Sequence, residues 1–265
     1  MARRKRSIGN GVSLTIGVIL LIASLAFGLY FLWSMYGSNF MSRKLQDEAQ
    51  SQLDENWGNQ PIPLAIDDYG SIQTEDPRPQ LGDAAAMIRI PRFGPEYGYT
   101  IVEGVSQQDL STGPGRYPQT QWFGERGNAA IAGHRDGRGA PFIHLDQMQT
   151  CDEIVIETQT AIYTYRVLPT EFSSESDKIS RASACMKEED AEILANKEYL
   201  PISGLEIVSP DQGWVVNPIP NDPTLAITDK TMRMLTLTTC HPRWSNAQRL
   251  IIHAALQDTV RKLPL

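Results

Sequence analysis

From Val12 to Trp33 the chain carries 22 residues without a charge, most of them Leu, Ile, Val, Ala, Gly and Phe. As a helix this run reaches about 33 Å at ~1.5 Å per residue, which matches the hydrocarbon thickness of a bilayer. Arg3, Arg4, Lys5 and Arg6 precede it, whereas Arg43 and Lys44 after it are mixed with Asp47 and Glu48. That asymmetry predicts a basic cytoplasmic tail over 1–11, a single transmembrane anchor over 12–33 and everything beyond it outside the cell. Tyr30, Trp33 and Tyr36 then fall near the outer interface. A cleaved leader competes with this reading, with Ser24-Leu25-Ala26 as the cleavage site. That site lies inside the apolar run, and the run exceeds the ~7–15 residues of a leader's apolar core.

After the anchor the pattern thins. Over 42–57 Leu45, Ala49, Leu53 and Trp57 recur every four residues in a polar, helix-favouring stretch, a narrow stripe that fits a stalk helix. From Gly58 to Asp83 Pro, Gly, Gln and Asp dominate, as in a linker. Stalk and linker together cover 34–85, and Asp76-Pro77-Arg78 is part of the linker. A domain over 86–265 follows, where short β-type runs alternate with turn residues. They are Met87–Ile90, Tyr99–Val102, Ala129–Ala132, Glu153–Ile156, Ile162–Val167, Leu205–Val208, Trp214–Val216, Met234–Thr238 and Arg249–His253. About eight strands in ~170 residues predict a mainly β domain closed into a barrel or paired as a sandwich, because closure removes exposed edges. Ser173 to Tyr199 breaks the rhythm. It is polar, and Lys187 to Ala195 reads as helix.

The formal net charge is −7, but with the four basic residues of the N-terminal tail set aside the rest holds 20 basic against 31 acidic side chains. That acidic balance argues against nucleic acid as a partner, since phosphate binding needs basic residues. Three cysteines are too few for a disulfide scaffold.

The candidate chemistry lies in three places. Cys240 ends the run Thr236-Leu237-Thr238-Thr239-Cys240, and His241-Pro242 after it cannot extend a sheet ladder. Arg249 stands at the head of the next apolar run. His134 follows the run ending at Ala132 and opens a polar, Gly-rich loop. A thiol, an imidazole and a guanidinium together supply a nucleophile, an acid–base and a charge for a tetrahedral oxyanion. The other histidines fit less well. His144 and His253 sit in apolar surroundings, and His241 is adjacent to the thiol but points to the opposite face of a strand. Arg243 competes with Arg249 but lies in the turn. No metal or cofactor is expected.

Thr-Leu-Thr-Thr-Cys with a downstream Arg resembles the signature of the sortases, and the resemblance runs from about Ala86 to Leu256. It implies an eight-stranded sortase-type β-barrel with short helices behind one N-terminal transmembrane helix. It also implies His134, Cys240 and Arg249 as catalytic residues, with the segment around Ser173–Tyr199 linking the sixth and seventh strands beside the substrate groove. The run through His241-Pro-Arg-Trp-Ser-Asn-Ala-Gln-Arg249, with Ile90-Pro-Arg-Phe-Gly94 and Gly113-Pro-Gly-Arg-Tyr-Pro118, is most similar to class E sortases of actinobacteria. From that likeness come cleavage of a Leu-Ala-x-Thr-Gly or Leu-Pro-x-Thr-Gly signal, transfer to a peptidoglycan-precursor amine, secreted signal-bearing proteins as partners, and a Gram-positive cell. Tyr117 and Thr239 are its candidate substrate-binding residues. The chain departs from the family where Arg116 replaces a common His and Cys151 a common Gly. Two other readings are an anchored papain-like cysteine peptidase, whose Cys-before-His order is reversed here, and a non-catalytic barrel that binds wall polymers. Cys151 and Cys185 are either two buried small side chains or, in an oxidising exterior, a disulfide.

Overall fold

The computed structural model describes residues 8–33, 37–59, 64–66, 72–74, 76–222 and 224–262. Helix α1 (Ile8–Leu32) is the one helix among them long and apolar enough to cross a membrane, through Ser13–Leu32. Leu14, Leu21, Phe27 and Tyr30 on it are exposed, so no protein core competes for its surface. Helix α2 (Ser38–Asn59) follows, then a small hairpin of β1 (Leu64–Ile66) and β2 (Ile72–Thr74) inside the stretch read as linker.

The barrel consists of β3 (Ala84–Arg89), β4 (Tyr99–Glu103), β5 (Gly115–Arg116), β6 (Gly127–Ala132), β7 (Glu153–Glu157), β8 (Ala161–Val167), β10 (Arg233–His241) and β11 (Gln248–Arg261). Its order is β10-β6-β5-β4-β3-β7-β8-β11, and β11 pairs back onto β10 to close it. The architecture is therefore mainly β with a closed eight-stranded barrel. A ninth strand, β9 (Leu205–Val208), adds to the outside along β11. Trp214–Val216, expected as a strand, is part of a 3-10 turn, Gly213–Val216. The two-residue β5 carries too few positions to show an alternation, which is why its pattern is invisible in the sequence.

One strand explains most of the layout. On β10 Leu235 and Leu237 enter the barrel core, while Met234 joins a second cluster with Leu168, Ala182 and Leu194. Odd positions thus face in and even positions face out, the two-residue period of a pleated strand. The second cluster is the underside of the long connection from β8 to β10. That connection contains α4 (Glu175–Ser183), which Ser174 caps by accepting from Asp177 N, and α5 (Glu188–Leu194). The buried Lys178 amine donates to the carbonyls of Tyr199, Leu200 and Ile202, closing the turn after α5.

Cys151 and Cys185 form a disulfide with a Cα–Cα distance of 5.8 Å, tying the end of α4 to the start of β7. Cys151 has φ 71°, a left-handed conformation natural to glycine. The crosslink therefore occupies a backbone position that suits the Gly which the resemblance leads one to expect there. Arg116, the other departure, is buried and holds Glu103 through two bonds of 2.7 and 2.6 Å.

Helix α2 lies on the barrel instead of standing off it. Ala49 and Leu53 of its stripe are buried against Ala84, and Trp57 packs at the edge of that cluster. Gln46 accepts from Thr100 N at 2.8 Å and donates to Thr100 O at 2.9 Å, so its amide acts as one more peptide beside β4. Asp76 pins the following segment, accepting from Thr160 N and Oγ1 and from Trp122 Nε1.

Candidate active site

Cys240 sits near the end of β10 on its outward face, where Pro242 stops the ladder. Directly opposite it on β11 stands Arg249. Facing residues of an antiparallel pair have Cβ atoms about 4.5–5.5 Å apart, so thiol and guanidinium leave the sheet side by side. On the other flank β10 runs parallel to β6, with Thr238 level with Ala132 and Gly133 N bonded to Thr238 O at 3.0 Å. That register, continued two residues, brings His134 level with Cys240. Three separate strands thus deliver the three expected side chains to one end of the barrel.

His134 and Cys240 line one open cleft of ≈ 620 Å³, bordered by Asn246, Trp244, Trp33 and Tyr30. Cys240 Sγ donates to Asn246 Oδ1 at 3.4 Å. Arg249 does not line that cleft. Its Nη1 donates to Gln248 O at 2.9 Å and Asn246 O at 3.4 Å, so the guanidinium rests on the carbonyls of the turn between β10 and β11. Burial pushes the His134 pKa below its ordinary 6.5, and the nearby Arg138 charge pushes the same way. The neutral imidazole is therefore favoured at pH 7, and its buried Nε2 has no hydrogen-bond partner among the described residues. A neutral imidazole that shares a cleft with a thiol is a candidate proton acceptor for it.

The remaining candidates divide by strand face. Tyr117 meets Thr238 through their hydroxyls at 3.0 Å, on the face that carries Cys240. Thr239, by contrast, is turned away from the cleft. It is buried, and its hydroxyl donates to Gly133 O at 2.8 Å, joining β10 to the residue before His134. Thr239, expected from the resemblance to touch substrate, thus has its hydroxyl inside the sheet, and Thr238 stands on the outward face beside Tyr117. Counting by twos from Cys240 was the signal for this. His241 also faces away and meets Arg135 Nη1 through Nδ1 at 2.7 Å. His144 is exposed and bonded to Gln147, and His253 is fully buried beside Thr236. Arg243 binds Asp136 at 2.8 Å, and the same carboxylate accepts from Trp244 N at 2.7 Å, which fixes the β10–β11 turn. Asn246 had no sequence signal, because its nearness to the thiol depends on how that turn folds back. Among the described residues no group of His, Cys, Asp or Glu is gathered as a metal site.

The loop after His134 is unusual in its backbone. Arg138 and Ala140 have φ of 48° and 42°, a conformation costing about 1 kcal/mol or more for a non-glycine residue. It is over-determined by its surroundings. Tyr97 and Tyr99 donate to Pro141 O and Gly139 O, and Arg138 Nη1 reaches Ser111 Oγ.

The family model described as "Sortase domain" matches residues 88–257. The structure resembles the SrtF sortase from Corynebacterium diphtheriae with a TM-score of 0.68 and 39% identity, over 71% of this chain and 92% of that one. Sortase SrtE2 of Streptomyces coelicolor is 26% identical over 177 residues, 63% of this chain and 67% of its own length. Sortase SrtE1 of the same organism is 25% identical over 254 residues, 93% of this chain. The matched stretch there spans only 55% of that relative's length.

Proposed function

Because the chain belongs to the sortase family, whose members are cysteine transpeptidases, we propose that it is a membrane-anchored sortase of class E type, working on the outer face of a Gram-positive cell. The observation that carries this is the direct pairing of Cys240 with Arg249, with His134 level on the neighbouring strand.

The reaction this supports has two acyl transfers. His134 takes the Cys240 proton. Sγ attacks the carbonyl carbon of Thr in a Leu-Ala-x-Thr-Gly or Leu-Pro-x-Thr-Gly signal. Arg249, released from the turn carbonyls, offers its donors to the oxyanion. The Thr–Gly bond breaks, His134 returns its proton to the glycine amine, and a thioester to Cys240 remains. An amine of a peptidoglycan precursor then attacks the thioester and loses a proton to His134, and the Cys240 sulfur leaves. Tyr117 beside Thr238 borders the groove on the nucleophile's face and suits contact with the second signal residue.

The test is intact-mass detection of a Cys240 adduct with signal peptides carrying an electrophile in place of the scissile bond. It is combined with a cleavage panel varying the second signal residue, with and without an added amine. An adduct plus a transfer product supports the proposal. Hydrolysis indifferent to amine would make the chain a peptidase, and no adduct with any signal would make it a binder.

A further inference from the structure

The cleft that holds Cys240 and His134 is lined in part by residues of the apolar helix: Tyr30 and Trp33 at the end of α1, and Ser38 at the start of α2. Trp244, on the turn after β10, lines the same mouth. Tyr30, Trp33 and Trp244 are 69%, 62% and 61% exposed, so none of the described residues covers them. Tyr and Trp are the side chains that favour the boundary between hydrocarbon and headgroups.

The helix that follows the anchor is tied to the loop beside the cleft. Trp33's ring lies against Gly37, leaving no room for a larger residue there. In the first turns of α2, Ser38 Oγ accepts from Arg138 N at 3.3 Å and Asn39 Oδ1 accepts from Gly139 N at 3.0 Å. Ser42 Oγ donates to Arg138 O at 2.9 Å. Gly139, at φ 77°, lets the loop pass close to Ser42. These bonds fall on the loop that follows His134. A flexible tether of the 22 residues of α2 would let the barrel wander about 25 Å from the membrane. Docked α2 removes that freedom.

We propose that the mouth of this cleft is a bilayer-facing surface. Tyr30, Trp33 and Trp244 sit in the interfacial layer of the membrane that α1 spans, and α2 is the strut that holds the Cys240 cleft there. The inference rests on the reading that α1 is a membrane anchor. Its consequence is one of rate: acyl donors and amine acceptors tethered at the same membrane face are concentrated at the thiol, and freely diffusing ones reach it more slowly.

The experiment uses the full chain in phospholipid nanodiscs. With Cys151 and Cys185 bonded to each other, Cys240 is the single free thiol. A nitroxide placed on it reports its depth through relaxation by lipid-soluble oxygen against a water-soluble nickel chelate. The expected result is an oxygen-to-nickel ratio about threefold above that of the same nitroxide free in buffer, as for a group drawn to the headgroup boundary. Trp244→Ser should shift that ratio toward nickel. An inserted chain whose label responds to nickel as a free nitroxide does would overturn this inference alone, and an unchanged ratio in Trp244→Ser would remove Trp244 from it. A chain that elutes without lipid would overturn the anchor as well. Each readout is independent of whether any signal peptide is cleaved.

Discussion

The outward face of β10 and β11 carries two polar groupings built from similar parts. At one end Thr236 meets Asn128 Oδ1 at 2.8 Å and His253 Nδ1 at 2.9 Å, beneath the 3-10 turn whose Val215 O accepts from Asn128 Nδ2. At the other end Cys240, Asn246, Arg249 and His134 gather at an open cleft. Each has a histidine, an amide and a hydroxyl or thiol. The first is sealed, and burial pushes His253 down to about 3, so its ring stays neutral at any physiological pH. The second is half-exposed, and His134 is lowered by burial without being shut off from solvent. Composition does not separate a structural histidine from a chemical one. Access does, and access is set by the β8–β10 connection, which covers Met234 and Thr236 and stops short of Cys240.

The sharpest break between the two ends is the nucleophile. Cys240→Ala is expected to abolish turnover of a signal peptide and leave the fold intact, because no other group on that face can form the thioester. Adduct on the variant by intact mass, or residual turnover, would move the chemistry elsewhere. The next largest effect separates two arginines. Arg249→Lys should lower kcat/KM about a hundredfold, the scale of losing one oxyanion donor, since an ammonium cannot offer a planar fork. Arg243→Lys should cost less than about threefold, because a lysine keeps the exposed ion pair with Asp136. Steady-state kinetics of the two variants decide it, and a reversed order would put the guanidinium role in the turn.

The covered end has its own dependency. The Cys151–Cys185 disulfide, 34 residues apart, holds the connection that does the covering. Replacing both with Ser should cost roughly 3–4 kcal/mol on chain-entropy grounds, a few hundredfold in the folding constant. It should leave alkylation of Cys240 within a factor of a few. Denaturant melts and thiol kinetics measured on the same preparation check both halves. If thiol reactivity fell as far as stability, the two ends would be one unit.

How much of this was legible beforehand follows from the kind of contact involved. Cys240 and Arg249 announced themselves through a motif that is local in the chain, and the strand pattern supported a closed β domain. His134 needed the resemblance, because its relation to Cys240 depends on β6 and β10 running parallel at a sequence separation of 106. The inward turn of Thr239 follows from strand alternation, since a residue next to outward-facing Cys240 points to the other face. The docking of α2 had a partial signal in the stripe Leu45, Ala49, Leu53, Trp57. What it docks on did not, since Gln46 and Ser42 bind backbone groups of Thr100 and Arg138, and backbone carries no sequence. Asn246 and the Glu103–Arg116 pair were hidden for the same reason, each being made by a fold-back between elements.

The smallest effect tests the sealed histidine through pH. In the unfolded chain His253 takes a proton near pH 6.5, whereas in the native protein burial holds it off until about pH 3. The sign follows from counting protons. Below pH 6.5 the unfolded state binds a proton that the native state refuses, so native stability falls as pH falls, by about 1.4 kcal/mol per unit between those two values. At pH 5 the loss amounts to about 2 kcal/mol. His253→Asn keeps a polar atom toward Thr236 and removes the titration. The variant should be less stable than the parent at pH 7.5 and close the gap by about 2 kcal/mol at pH 5. Taking the difference between the two proteins cancels the other titrating groups, among them Asp190 and Glu206, whose pKa values burial raises. Urea melts of both at the two pH values give the answer. A gap that stays constant would mean that water reaches His253, and the contrast between a sealed end and an open end of β10 would fail with it.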